Sequence, residues 1–425
     1  MTTGVHANED LLFSVLIQLI IMIGAARALN IVARRLGQPG AVGEIIAGLM
    51  LGPSLLGALA PDLSISLFGA SPAPAITIIS QIGLTLLMFQ IGSEFEFGHL
   101  ESPQHRKGAA LIAAASVLVP LAGGLALGWI TAPILAPGID PTLYALFFGN
   151  ALAITALPIL GRILAQFGLT DKPVGVVAIS AAAVNDVAGW VMLASISALA
   201  AARFSGGALA LQLAGIGTLL VLARFVLAPL ASRLVAAFPT TGGRIDPTLM
   251  AAMLALVFGL AICTYKLGIF AIFGGFLGGL IMHRHTGFVA AWKGQVGGFV
   301  LVFFLPVFFT YTGLRTNLLG LGPEDLSWLA VVLAVAILAK ILPVYGAARL
   351  AGYTPAESAV LGSLMNTRAL MELIVLNIGR DLGVIPPNVF TMLVVMAVVT
   401  TIMAGPLLKS LLPRTGHIIP RGVEA

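Results

Sequence analysis

Asp186 is the residue around which any chemistry in this sequence has to be arranged. It lies next to Asn185 in the middle of a long apolar run, "VGVVAISAAAVNDVAGWVMLASISALA". A carboxylate at hydrocarbon depth costs about 2.5–3.5 kcal/mol on insertion scales, so acids there mark functional sites. A proton or a small monovalent cation each removes that cost by neutralising the charge, and the two compete for the same oxygens. The structural alternative is an Asp satisfied by a buried Lys or Arg. The preceding apolar segment, "GNALAITALPILGRIL", carries Gly149, Asn150, Thr155 and Pro158 in its middle. That composition interrupts a helix, and unwound backbone at Thr155 would expose carbonyls able to coordinate a desolvated cation. Asn185 adds an acceptor oxygen without a second charge. With one titrating acid, one proton replaces one monovalent cation at Asp186, and the exchange reads as electroneutral.

Other charges inside apolar runs have competing readings. The stretch "MNTRALMEL" is the counterpart of the Thr155 segment, and its Arg368 and Glu372 are spaced i, i+4, which favours pairing with each other on one helix face. Arg368 is also placed to neutralise the negative end of a half-helix. Lys340, in "AVAILAKILPVYG", has no acid within one helical turn and sits too deep to snorkel, so it is expected at the site, since intramembrane charges pair. Glu44 is either a pathway acid or, preferably, a residue packed against helix-end donors. His99, His105, His283 and His285 stand beside basic residues in loops, where a solvated role outweighs proton sensing. The single cysteine, Cys263, rules out an internal disulfide and a Cys-based metal site. The glycine-rich stretches contain no Walker pattern, and no cofactor is expected.

The elements that must position these residues are membrane helices. Of 425 residues 59% are hydrophobic and 9% charged, against about 25% charged in an average soluble domain. The net charge of +5 comes from basic residues scattered singly through short loops, which excludes a nucleic-acid partner. At about 20 residues per span, thirteen helices are predicted near 11–29, 41–58, 74–93, 109–131, 141–165, 174–201, 208–230, 247–264, 267–283, 296–314, 327–350, 356–378 and 388–412. Glu9 and Asp10 replace the basic start of a signal peptide, so the first run is expected to be retained. With the N-terminus outside, only Arg203, Lys266, Arg315 and Arg380 face outward. Lys340 and Arg368 lie within spans, and the remaining Lys and Arg face inward. That asymmetry predicts N-terminus out and C-terminus in.

The chain also repeats itself. "IIAGLMLG" (45–52) matches "IFGGFLGG" (272–279), and "LLMFQIGSEFE" (86–96) falls beside "VFFTYTGLRTN" (307–317), with Gly92 opposite Gly313. The same register sets "ALAITALP" (151–158) against "LMNTRALM" (364–371), with Thr155 opposite Thr367. Seven helices separate corresponding elements, so the halves have opposite orientation. Inverted repeats with a broken helix in each half are the plan of secondary transporters. The expected fold is an all-α polytopic membrane protein in which repeats near 11–201 and 247–412 cross their discontinuous helices. A helix at 208–230 links them within one membrane domain, 1–425, and a short cytoplasmic tail, 413–425, follows.

The segments "GQPGAVGEIIAGLMLGPSLLG", "ALAITALPILGRIL", "SAAAVNDVAGW", "LPVFFTYTGLRTN" and "NTRALMELIVLNIG" resemble the monovalent cation/proton antiporter superfamily, particularly the plant-type cation/H+ exchangers and their bacterial relatives. The resemblance covers nearly the whole membrane region. It implies a dimerisation domain and a core ion-translocation domain that moves as an elevator, in a homodimer. It places Asp186 at the ion- and proton-binding aspartate, and Asn185 at a position that is Asn in electroneutral relatives. Thr155 falls on the crossover, and Lys340 and Arg368 on basic positions near the site. Two departures are expected: many relatives carry a large cytoplasmic regulatory domain, for which the short tail after about residue 413 is not expected to serve, and Leu157-Pro158-Ile159 carries no acid. The function expected is exchange of Na+ or K+ for H+ across a cytoplasmic membrane. A cation-coupled symporter or organic anion carrier anchored on Arg368 and Lys340, and a non-transporting membrane sensor, are the alternatives. An enzyme is not expected, because the spans hold no clustered acids or His set.

Overall fold

The computed structural model describes residues 2–69, 74–94, 103–170, 172–201, 206–240 and 242–418, and no β-strand occurs among them. Of the positions singled out above, His99, Arg203, the end of the repeat segment (95–96) and the end of the tail (419–425) lie outside the described residues. Apolar helices long enough to cross a membrane are α1 (Glu9–Arg35), α2 (Gly40–Leu59), α3 (Pro74–Ser93), α4 (Pro103–Leu135), α5 (Pro141–Gln166), α6 (Pro173–Ala200), α7 (Ala210–Ala237) and α8 (Pro247–Lys266). The short α9 (Ala271–Met282) follows, then α10, a pair bent by 42° (Thr286–Gly297 and Val300–Leu314), α11 (Pro323–Leu350), α12 (Pro355–Asp381) and α13 (Pro387–Thr415). Each falls at a predicted position, but among the described residues at most twelve are long enough to cross a membrane, the bent pair counted as one, because α9 has only 12 residues; many of the others run longer than 20. Arg34, Arg35, Arg106, Lys107, Arg233 and Arg349 therefore sit on helices rather than in loops. Helices can continue past the hydrocarbon because terminal Lys and Arg reach the interface along their aliphatic stems.

Local chemistry fixes most of the starts. Proline begins α3, α4, α5, α6, α8, α11, α12 and α13, where its missing N–H removes no helical hydrogen bond and its φ is already helical. Asp140 caps α5 by accepting from the Thr142 and Leu143 amides, each at 2.9 Å, and Asp246 caps α8 through the Thr248 amide at 2.7 Å. Thr354 and Glu357 form a reciprocal capping box at the start of α12.

The helices group into two compact units. One is drawn from residues 1–24, 62–96 and 197–311, the other from residues 25–61, 97–196 and 312–425. In the first, α9 lies against α3 with glycines at the contact: a Cβ on Gly279 would stand 2.2 Å from Phe89 O, and one on Gly92 would stand 2.3 Å from Phe276 O. In the second, α2 meets the end of α10 the same way. A Cβ on Gly52 would stand 2.2 Å from Gly313 O, and one on Gly313 would stand 2.0 Å from Gly48 O. The repeat register aligns Gly52 with Gly279 and Gly313 with Gly92, so each unit contains one copy of the same glycine-mediated crossing. Gly313→Ala cannot be accommodated without separating α2 from α10. It is expected to lower the melting temperature in detergent, and an unchanged melting curve would contradict the backbone contact.

Candidate ion-binding site

Both discontinuous helices lie in the second unit. α5 divides into α5a (Pro141–Ala153) and α5b (Leu157–Gln166). Pro158 is the cause: its ring excludes a hydrogen bond to the Ile154 carbonyl and clashes with it, so the helix cannot run through. Ile154 and Ala156 accordingly have extended backbone. α12 divides into α12a (Pro355–Met365) and α12b (Leu370–Asp381). Its break contains Ala369 at φ 80°, the positive-φ residue other than glycine among the described residues. That strain costs about 1–2 kcal/mol and is sustained by packing around it. The two breaks bind each other, since Ala156 N donates to Thr367 O at 3.0 Å and Thr155 Oγ1 donates to Met365 O at 3.0 Å. The repeat register had set Thr155 against Thr367, and that is where the helices cross.

α6 passes the crossing and presents Asn185 and Asp186 to it. The Thr155 amide donates to Asn185 Oδ1 at 3.2 Å, and Asn185 Nδ2 donates to Thr155 Oγ1 at 3.2 Å and to Ser116 Oγ at 3.0 Å. Asn185 thus secures α6 to α4 and to the break in α5. Asp186 is buried at 3% exposure, and neither carboxylate oxygen has a hydrogen-bond partner in the protein. The Leu157 amide at the start of α5b faces the carboxylate without closing a hydrogen bond of ordinary geometry. Lys340 acts on it as a charge, with no ion pair within 4 Å. The bland possibility of an Asp locked to a basic partner therefore does not describe this residue.

The basic residues hold backbone. Lys340 Nζ donates to Ser116 O at 2.7 Å and to Ala153 O. Arg368 donates from Nη1 to Ala151 O at 2.9 Å and from Nη2 to Leu152 O at 2.7 Å. The last three carbonyls of α5a, which the break leaves without helical partners, are all bonded by these two cations. They also oppose about half an elementary negative charge at that helix end. Arg368 pairs in addition with Glu372 at 3.5 Å, and all three charged side chains are fully buried. Glu44 is held by Asn30 Nδ2 at 2.6 Å, so a side chain of α1 rather than a helix end is its donor.

The histidines make local contacts. His283 Nδ1 lies 2.6 Å from Leu280 O, and His285 Nε2 lies 3.1 Å from Ser232 Oγ. Partial burial, aided by His283, pushes the His285 imidazole below its usual range.

Sequence reasoning missed Ser116, whose carbonyl and hydroxyl join Lys340 to Asn185. A serine in an apolar helix gives no signal of that kind. It used Asn150 only as a helix breaker, yet the carboxamides of Asn150 and Asn366 are buried with both polar atoms unpartnered.

A polytopic helical bundle with two interrupted helices crossing beside a buried, unpartnered acid defines a secondary transporter with the sodium/proton antiporter-like fold. The sequence matches the family described as sodium/hydrogen exchanger, transmembrane, over residues 19–414, and the chain belongs to that family. It is a transporter and not an enzyme. It is 36% identical over 96% of its length to the whole of the Na(+)/H(+) antiporter NhaS4 of Synechocystis. It is 34% identical over 93% of its length to Cation/H(+) antiporter 18 of Arabidopsis thaliana, and spans about half of that protein, 48%. The fold is that of the sodium proton antiporter MjNhaP1 from Methanocaldococcus jannaschii, with a TM-score of 0.65, 17% identity, and 94% of this chain and 97% of that one covered.

Lys340→Met takes the side-chain donor from the buried Ala153 carbonyl and leaves the Ser116 carbonyl only the 3.4 Å contact from Asn185 Nδ2, at a cost of about 1–3 kcal/mol for an unsatisfied carbonyl. The variant is expected to melt well below the wild type, with Lys340→Arg losing less. Melting of Lys340→Met at the wild-type temperature would contradict the capping role.

Proposed function

We propose that the protein exchanges one monovalent cation, Na+ or K+, for one proton, with Asp186 as the shared site. The observation that carries this reading is a buried carboxylate with no partner beside the crossing, while both neighbouring cations are engaged elsewhere. A carboxylate in that setting is unstable bare, and H+ or a metal ion neutralises it equally. Because one group serves both, loading either requires release of the other. Thr155 and Asn185 hold the broken backbone in register beside it.

The charges around the crossing favour electroneutral exchange. Lys340 and Arg368 contribute two positive charges, and Glu372 and ionised Asp186 contribute two negative ones. Protonated and cation-loaded Asp186 leave the same net charge on the cluster. Carrying either form across the membrane therefore moves equal charge in opposite directions. Asn185, in place of a second acid, preserves that balance. The anion-carrier alternative finds no support, because the guanidinium and ammonium groups it needs are bonded to the carbonyls of α5a and α4.

Alternating access follows an elevator movement in which the unit bearing Asp186, Lys340, Arg368 and Glu372 shifts as a body. The assembly is a homodimer in the cell membrane, with the N-terminus outside and the C-terminus inside. The names of the relatives support the choice of substrates: one is a Na(+)/H(+) antiporter and another a cation/H(+) antiporter.

Purified protein in acid-loaded proteoliposomes is expected to dequench a pH dye when Na+ or K+ is added, equally with and without an imposed membrane potential. Asp186→Asn should abolish the signal while leaving the folded protein intact. Cation-driven proton flux through Asp186→Asn, or a wild-type rate that follows the potential, would overturn the proposal.

A further inference from the structure

Asn150 is fully buried, and neither its Oδ1 nor its Nδ2 has a partner in the protein. Buried polar groups are almost always hydrogen-bonded, so an orphaned carboxamide in a membrane helix calls for a reason. Packing does not supply one, because an apolar residue of similar size would fill the same space without the desolvation cost. Its position is informative. Asn150 stands on α5a one turn before the break and faces α6, where a Cβ built on Gly189 would lie 4.0 Å from Asn150 Oδ1. Gly189 is three residues after Asp186 and shares its helix face. The same Cβ would lie 2.9 Å from Ile154 Cγ1, so the glycine is what lets the Ile154 side chain pack directly on α6 beside the carboxamide. The carbonyls of Ala151, Leu152 and Ala153 on α5a are already occupied by Arg368 and Lys340. The carboxamide oxygen is an uncommitted neutral acceptor of α5a at this level.

We propose that the unpartnered carboxamide of Asn150 forms a second, neutral subsite for the transported monovalent cation, beside the helix face of α6 that carries Asp186 and Gly189. Asn150 Oδ1 takes one coordination place as the ion gives up water on its way to or from the carboxylate. A carboxylate attracts cations strongly but ranks them poorly by size. A fixed neutral oxygen beside an apolar wall adds the ranking, because its value depends on how closely the dehydrated ion fits. Asn150 is thus a specificity-determining residue, and this rests on the reading that Asp186 exchanges a cation for a proton.

The test compares Asn150→Val, Asn150→Asp and Asp186→Asn in the proteoliposome assay with Na+, K+, Li+ and Rb+. Asn150→Val is expected to raise the apparent KM for the preferred cation about tenfold, the effect of losing one ion–dipole contact. It should also compress the differences among the four ions and leave the maximal rate largely unchanged. Asn150→Asp keeps the shape of the side chain and serves where the Val variant fails to fold. It places a second carboxylate beside the α6 face that carries the first, and the exchange is expected to become sensitive to membrane potential. A folded Val variant with the wild-type KM and ion order overturns the subsite, as does an Asp variant that retains the wild-type ion order and potential independence. If Asp186→Asn is inactive while the Asn150 variants behave as wild type, the subsite alone fails. If Asp186→Asn transports normally, the underlying site is misassigned.

Discussion

The structure depends on how the end of a broken helix is kept in a membrane. Interrupting α5 leaves the carbonyls of Ala151, Leu152 and Ala153 without helical donors, in a place where water is not available to replace them. Arg368 and Lys340, from two other helices, reach all three. Because those cations are committed to backbone, Asp186 can remain buried without being locked into an ion pair. Had either amine bonded the carboxylate, a proton or metal ion would have to displace it. The cost is concentrated in a strained Ala369 inside the break of α12 and a fully buried pair between Arg368 of the break and Glu372 in the first turn of α12b.

The rest of the second unit is organised around the same requirement. Thr155 and Ala156 tie the break of α5 to the break of α12, and Asn185 ties both to α4 through Ser116. The amide at the start of α5b faces the carboxylate, so a positive helix end approaches the acid while the carbonyls at the end of α5a are capped by Arg368 and Lys340. This pre-forms a charged site within hydrocarbon without dedicating a basic side chain to it. In each unit a glycine-lined crossing brings helix backbones close enough for direct contact, once between α3 and α9 and once between α2 and α10.

Much of this was legible in the sequence, for identifiable reasons. Pro158 announces the break of α5 because its ring acts locally, and an acid in an apolar run announces itself through its solvation cost. The register from Gly52 to Gly279 and from Gly92 to Gly313 was readable because close backbone approach admits only the smallest residue. The partner of Lys340 was not legible: without a nearby acid in sequence, a lysine at depth points to the ion site, whereas it binds carbonyls of α4 and α5a. Carbonyls are present at every position and leave no mark in a sequence. Ser116 and the orphaned carboxamide of Asn150 escaped for a related reason, since their importance comes from what they face across helices. Helix ends were misjudged where charged residues continue a helix beyond the apolar core.

The central claim is that one buried carboxylate holds a proton or a metal ion and never both. Proton release on cation binding tests it directly. Detergent-purified protein in weakly buffered solution, titrated with Na+ or K+ near the middle of its transport pH range, should release one proton for each cation bound, with no release from Asp186→Asn. Saturable cation binding that releases no protons in the wild type would contradict the account.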